Sequence, residues 1–164
     1  MAIRIIKGEQ DTMGLISNIY NAPIERSGFL KEHESYVVLR YKNREYVGAA
    51  FVHPDDEDFA SEKVGHGIAL SRARIEILKD EKQYLFQEYK DKMRMYNDVL
   101  GYGVKTPEEV DPTGAFKKSI KRTYDRYLTL VEFLKEEEKG LDNYLKGQDE
   151  IVTRLKRNRR KGQN

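Results

Sequence analysis

A basic segment is the first candidate for chemistry in this sequence. Its last eleven residues carry six basic side chains and no acidic one. With six of the 30 Lys and Arg residues set aside, 24 remain against 28 Asp and Glu, so a mildly acidic body carries a basic end. This distribution is typical of binding to nucleic acid or to an acidic protein surface, and also of a helix end whose cations suit the helix dipole. The candidate nucleic-acid-binding residues are Arg154, Lys156, Arg157, Arg159, Arg160 and Lys161.

A second basic motif alternates with aromatic residues between two apolar runs. Arg40, Tyr41, Lys42 and Arg44 belong to it. Such a motif at a hairpin tip could lie on a nucleic-acid backbone, with tyrosine rings stacked on bases. The alternative is the ordinary alternation of a half-buried strand, in which tyrosine is common. Both interpretations stay open from sequence.

An acidic cluster, His53 to Asp58, is the densest set of potential metal ligands. Its spacing does not match a calcium-binding loop, and acidic residues ahead of a helix favour its positive end without any metal. The histidines have no partner serine in a recognisable catalytic arrangement, there is no cysteine, and no phosphate-binding glycine loop is present. We therefore predict a solvated turn here, and a chain with no metal, no cofactor and no catalytic residue.

Long helices must carry much of the sequence. Two proline-free runs, 55–106 and 113–164, can hold them because an internal proline costs a helix about 3 kcal/mol. Apolar residues at seven-residue spacing predict an amphipathic helix over about 67–100. In the second run, heptad rows predict a coiled-coil-like helix, with Gly140 and Gly147 leaving open whether it is continuous.

The connection between these helices contains two helix-start signals. Thr106-Pro107-Glu108-Glu109 matches a capping box with proline at the first helical position. Asp111-Pro112-Thr113 offers a second start a few residues later. A link of roughly a dozen residues favours an antiparallel helical hairpin.

The first third of the sequence predicts a small sheet. Segments 36–41 and 46–52 are rich in β-branched and aromatic residues and predict an antiparallel hairpin. Residues 2–7 alternate enough to supply a third strand, and 11–20 predict a short helix. One of the two arginines in Ser71-Arg72-Ala73-Arg74 is expected to brace this region, through the acids from Asp55 to Asp58.

The predicted fold class is therefore α+β: a small antiparallel β head followed by a long antiparallel, coiled-coil-like helical hairpin. The predicted domains are an α/β head over 1–66, a helical hairpin over 67–158 and a basic tail over 159–164. Because a lone hairpin exposes much of its apolar stripe, we expect a homo-oligomer. The predicted protein-interface residues are Tyr89, Tyr96, Tyr127, Leu134, Leu141 and Tyr144.

The stretch from Tyr36 to Leu78 resembles a hairpin–helix module of uncharacterised phage and prophage proteins. The matching residues are Gly48-Ala49-Ala50, His53-Pro54-Asp55-Asp56, Phe59, Gly65, Ala69, Arg72 and Ala73. The resemblance covers about a quarter of the chain and implies a phage context and a hairpin–helix fold, with no catalytic residue.

Three functional expectations follow. The first is a non-enzymatic binding or adaptor protein that oligomerises through its helices and engages nucleic acid or a nucleic-acid-handling host protein. The second is an inhibitor of a host enzyme or defence system acting by protein contact, and the third is a structural virion component. With no run of about 20 apolar residues and no secretory signal, we expect no membrane partner and a cytoplasmic location, in the host cell if the protein is phage-encoded.

Overall fold

The computed structural model describes residues 7–31, 34–59, 61–101 and 106–162. The chain divides into two compact units. One, here called the helical unit, comprises Met1–Asn18 and Leu78–Phe133, and the other, the sheet unit, comprises Ile19–Ile77 and Leu134–Asn164. The fold class is α+β, as predicted: a three-stranded antiparallel sheet is followed by two long helices.

Four helices contribute to the helical unit. They are α1 (Lys7–Tyr20), α2 (Glu62–Gly101), the single turn α3 (Pro107–Val110) and α4 (Ala115–Gly162). The predicted short helix at 11–20 is confirmed as the greater part of α1, and α2 and α4 contain the two helices predicted from the heptad rows. The core of this unit consists of buried aliphatic side chains: Ile16, Leu78, Leu85, Ile120 and Leu130.

Within the helical unit, α2 and α4 pair antiparallel through aromatic side chains. Tyr96 contacts Phe116, Tyr89 contacts Tyr124, and Phe86 contacts Tyr127, with ring centroids 5.6, 4.8 and 5.1 Å apart. The numbers fall along α2 as they rise along α4, which defines the antiparallel direction. Each such ring pair contributes about 0.5–1.5 kcal/mol beyond its buried area.

Both predicted helix starts in the connection are confirmed. Thr106 and Glu109 form a reciprocal capping box around α3, with Pro107 at the start of the helix. The Asp111 carboxylate then accepts hydrogen bonds from the backbone N–H groups of Phe116 (3.2 Å) and Lys117 (3.0 Å). These bonds satisfy amide groups that have no partner inside α4, and the one from Lys117 contributes most to lowering the pKa of Asp111.

The sheet unit contains a meander of three strands: β1 (Ile24–Lys31), β2 (Glu34–Tyr41) and β3 (Arg44–Phe51), in that order in the sheet. The predicted hairpin is confirmed as β2–β3. Its turn is only two residues long, Lys42 and Asn43, with φ values of 47° and 61°. Positive φ at both positions matches the right-handed twist of the flanking strands.

The third strand is β1, which the sequence analysis did not predict. It is paired with β2 from Ile24 opposite Leu39 to Lys31 opposite Glu34. Its central residues, Glu25 to Gly28, are not β-branched or aromatic, so the strand has little local preference for its conformation. The predicted strand at 2–7 lies largely outside the described residues, and Lys7 begins α1.

Small residues allow the sheet to approach the beginning of α2 closely. A Cβ atom added at Gly48 would lie 1.8 Å from the Ala69 carbonyl oxygen and 2.6 Å from the Ala73 nitrogen. Ala69 and Ala73 are fully buried at this contact. Only a glycine in β3 facing alanines in α2 permits this backbone approach.

One arginine was predicted to brace this region through the acids; instead both Arg72 and Arg74 donate hydrogen bonds to backbone carbonyls of the sheet unit. Arg72 donates to the Ala49 carbonyl oxygen of β3 at 2.5 Å, and Arg74 donates to the Tyr20 carbonyl at 3.1 Å. The Arg74 guanidinium also lies 4.7 Å from the centroid of the Tyr20 ring. Burial, together with a hydrogen bond to Glu137, raises the pKa of Tyr20 well above its ordinary value.

Helix α4 is continuous through Gly140 and Gly147, which settles the question left open by the sequence. Each glycine costs a helix about 1 kcal/mol relative to alanine, which by itself is too little to end a helix of 48 residues. Among the described residues, no helix combines the length and apolar character needed to cross a membrane.

Candidate nucleic-acid interface

The basic end of α4 presents two different faces, both within the sheet unit. On one face, Lys156 forms an ion pair with Asp56, and Arg159 donates to the Asp58 carboxylate at 2.5 Å. Asp56 and Asp58 lie in a short 3₁₀ helix, Pro54–Phe59, which occupies the acidic cluster that the sequence predicted to be a solvated turn. Two of the six predicted nucleic-acid-binding cations are therefore already neutralised by carboxylates of the same chain.

The other face carries the remaining four cations, all exposed. At 100° per residue, these four lie within a sector of about 120°, and Lys156 and Arg159 lie outside it. Within the described parts of the chain, none of the four is paired with a carboxylate. We call this set the basic stripe: Arg154, Arg157, Arg160 and Lys161.

The basic stripe borders a shallow depression of about 390 Å³ on the surface of α4. Thr153, Lys156, Arg157, Arg160 and Lys161 line the depression. Four of these five residues are cations, and of these four only Lys156 is paired with a carboxylate among the described residues. Such an arrangement attracts polyanions, and arginine forks suit phosphate oxygens in particular.

In the second predicted basic motif, Arg40 is neutralised by carboxylates of the same sheet. Arg40 pairs with Glu25 at 2.6 Å and lies 3.6 Å from Glu45, which also pairs with Arg26 at 2.8 Å. The hydrogen bond from Arg40 lowers the pKa of Glu25, and the same contact raises the pKa of Arg40. Exposed pairs of this kind contribute little stability, but they leave Arg40 facing carboxylates and not solvent anions.

The tyrosine of that motif faces the interior. Tyr41 is only 8% exposed, and the Lys42 ammonium group lies 5.4 Å from its ring centroid. A base cannot stack on a ring whose faces are already covered. Lys42 and Arg44 are exposed at the hairpin turn, so this motif offers surface charge without an aromatic platform.

The predicted interface residues are mostly used inside the chain. Tyr89, Tyr96 and Tyr127 make the ring contacts of the helical unit described above, and Leu134 is buried in the sheet unit. Leu141 and Tyr144 line a cavity of about 330 Å³ in the sheet unit that also borders Gly67 and Gly140. These contacts account for much of the tyrosine enrichment within a single chain.

An exposed apolar row on α4 was not among the predicted interface residues, apart from Tyr144. Tyr144, Ile151 and Leu155 are 46%, 47% and 43% exposed and recur at helical spacing. Ile151 and Leu155 belong to the heptad pattern of the sequence, so that pattern could have identified them as candidate interface residues. The heptad pattern places apolar residues along the helix but does not show which of them another element covers. The sequence therefore could not tell these exposed residues from buried ones such as Leu134.

In the described ranges, no group of three or more His, Asp or Glu side chains is arranged to hold a metal ion. No family model matches this chain, and comparison with curated proteins and with solved structures found no match.

Proposed function

We propose that this chain is a non-enzymatic binding protein that engages nucleic acid through the basic stripe of α4. The observation that carries the proposal is the set of four exposed arginine and lysine side chains on one helix face, unpaired within the described residues. Cations arranged in this way bind phosphate groups and release the condensed counterions of the polymer. The stripe contains no aromatic side chain and is therefore suited to the backbone and not to the bases.

The proposal includes association of the chain with itself. The exposed row of Tyr144, Ile151 and Leu155 lies on the same helix as the basic stripe. Full burial of an exposed side chain is worth about 1.5–3 kcal/mol, and these three are already about half buried, so covering each against a second copy favours association by roughly 0.7–1.5 kcal/mol. Two associated copies would bind a long polyanion more strongly than either copy alone, and the salt slopes given below are those expected for each bound chain.

Salt dependence tests the nucleic-acid proposal. For duplex DNA, the slope of log K against log salt is about −0.9 for each neutralised phosphate, so four cations predict a slope of about −3.6. Affinity for a fluorescently labelled 20-base-pair duplex, measured by anisotropy, should then fall about 150-fold between 50 and 200 mM salt. Single-stranded DNA should give a shallower slope.

Charge-matched variants make this test specific to the stripe. Arg157→Gln with Arg160→Gln should reduce the magnitude of the slope by about 1.8. Lys121→Gln with Arg122→Gln removes the same charge from exposed positions earlier in α4 and should leave the slope unchanged. An affinity that is the same at 50 and 200 mM salt would rule out phosphate binding and favour an acidic protein partner instead.

A further inference from the structure

The acidic 3₁₀ helix has no role in the proposed binding surface, yet it contacts the basic end of α4 directly. Asp58 forms an ion pair with Arg159, and Asp56 forms one with Lys156. The two cations are three residues apart on α4, and the two carboxylates are two residues apart on the 3₁₀ helix. Both pairs lie within the sheet unit.

We infer that Asp56 and Asp58 act as an internal competitor for phosphate and withhold Lys156 and Arg159 from nucleic acid. The inference rests on the proposed function and concerns the regulation of that same site. A carboxylate offers a guanidinium or ammonium group the same charge-assisted hydrogen bonds that a phosphate oxygen offers. Because the competitor is part of the chain, its effective concentration is in the millimolar range or above.

Internal pairing predicts how many counterions are released when the chain binds DNA. A cation already paired with a carboxylate gains no anionic partner when it meets a phosphate, since one pair merely replaces another. The intact chain should therefore show the salt slope of the four cations of the basic stripe and not of all six. Neutralising either aspartate should make one more cation available and steepen the slope by about 0.9.

Three aspartates in one short segment provide matched variants. Asp56→Asn and Asp58→Asn each remove a carboxylate that holds a cation of α4. Asp55→Asn changes the net charge equally in the same 3₁₀ helix, but the Asp55 side chain is exposed and lies 3.5 Å from His53. Any effect of overall charge should appear in all three variants, whereas release of a cation should appear in two.

The experiment uses the full chain and the labelled 20-base-pair duplex at 50 to 200 mM salt. Asp58→Asn should bind with a slope of about −4.5, which is a loss of about 500-fold over that range. The double variant Asp56→Asn with Asp58→Asn should reach about −5.4, or about 1,800-fold, and Asp55→Asn should remain near 150-fold. The Asp58 pair is largely exposed, so its loss should not unfold the chain, and circular dichroism checks this.

A reciprocal substitution identifies the cation that is released. Arg159→Gln alone should leave the slope unchanged, because Arg159 is already occupied by Asp58. In the Asp58→Asn background, Arg159→Gln should return the slope from about −4.5 to about −3.6.

The two proposals fail in different ways. If the intact chain shows a steep salt dependence and the Asp56 and Asp58 variants match it, internal competition is wrong and the basic stripe remains the binding surface. If neither the intact chain nor the double variant binds the duplex with any salt dependence, the proposed function is wrong and the inference falls with it. A slope near −5.4 in the intact chain would also overturn the inference, because all six cations would then be available.

Discussion

The helical unit packs its helices with large aromatic rings, whereas the sheet unit packs a strand on a helix through its smallest residues. Rings such as Tyr89 and Tyr124 are partly exposed and tolerate some adjustment. At Gly48 the neighbouring atoms belong to the backbone of α2 and have no such freedom. The helical unit is therefore specified by the side chains that fill the space between its helices, and the sheet unit by the absence of a side chain at Gly48.

The largest expected effect is in the sheet unit. Gly48→Ala places a Cβ atom 1.8 Å from the Ala69 carbonyl oxygen, so the sheet and the beginning of α2 must move apart. We expect a loss of at least about 3 kcal/mol in the free energy of unfolding, the upper end of overpacking effects. Urea denaturation followed by circular dichroism measures it.

The matched control is the same substitution at Gly140 in α4. A Cβ atom there meets nothing within 4 Å, and alanine is the better helix former. Gly140→Ala should therefore leave the free energy of unfolding unchanged or raise it by up to about 1 kcal/mol. Equal losses from the two substitutions would contradict the close approach at Gly48.

In the helical unit, two leucines of α4 differ in burial. Leu130 is fully buried, and Leu128, two residues earlier in α4, is 43% exposed. Leu130→Ala should lower the free energy of unfolding by about 2–5 kcal/mol through lost burial and a residual cavity. Leu128→Ala should cost under about 1 kcal/mol, so similar urea midpoints for the two variants would show that α4 does not turn this face to the core.

The smallest effect concerns the start of α4. The pKa of Asp111 is lowered in the folded chain, so its contribution is present above the ordinary aspartate pKa of about 3.9 and is lost as the pH falls through the folded value below it. Asp111→Asn should therefore show a smaller fall in melting temperature between pH 7 and pH 2.5 than the unsubstituted chain.

Asp125→Asn serves as the control for that measurement. Asp125 is exposed on α4 and its carboxylate does not cap a helix. This variant should keep the full pH dependence of the unsubstituted chain. If Asp111→Asn also keeps it, the carboxylate of Asp111 does not stabilise the folded state.

Local patterns in the sequence were sufficient for much of the secondary structure. The heptad rows predicted α2 and α4, the β-branched runs predicted β2 and β3, and the capping residues at 106–109 and 111 predicted two helix starts. Each of these signals acts between residues that are close along the chain, through helical periodicity, strand alternation or a side chain bonding to a nearby amide. The sequence alone therefore determined the α+β class and the basic character of the last eleven residues.

Only the tertiary structure decided which of these residues are available to a partner. Strand β1 is held by its pairing with β2, since its own residues carry little strand preference. Arg159 and Asp58 are 101 residues apart, and Arg40 is neutralised by Glu25 from a neighbouring strand. Helical spacing alone puts Lys156 and Arg159 outside the sector of the basic stripe. Ion pairs depend on distance in space, so no pattern along the chain could show that Asp56 and Asp58 hold these two cations.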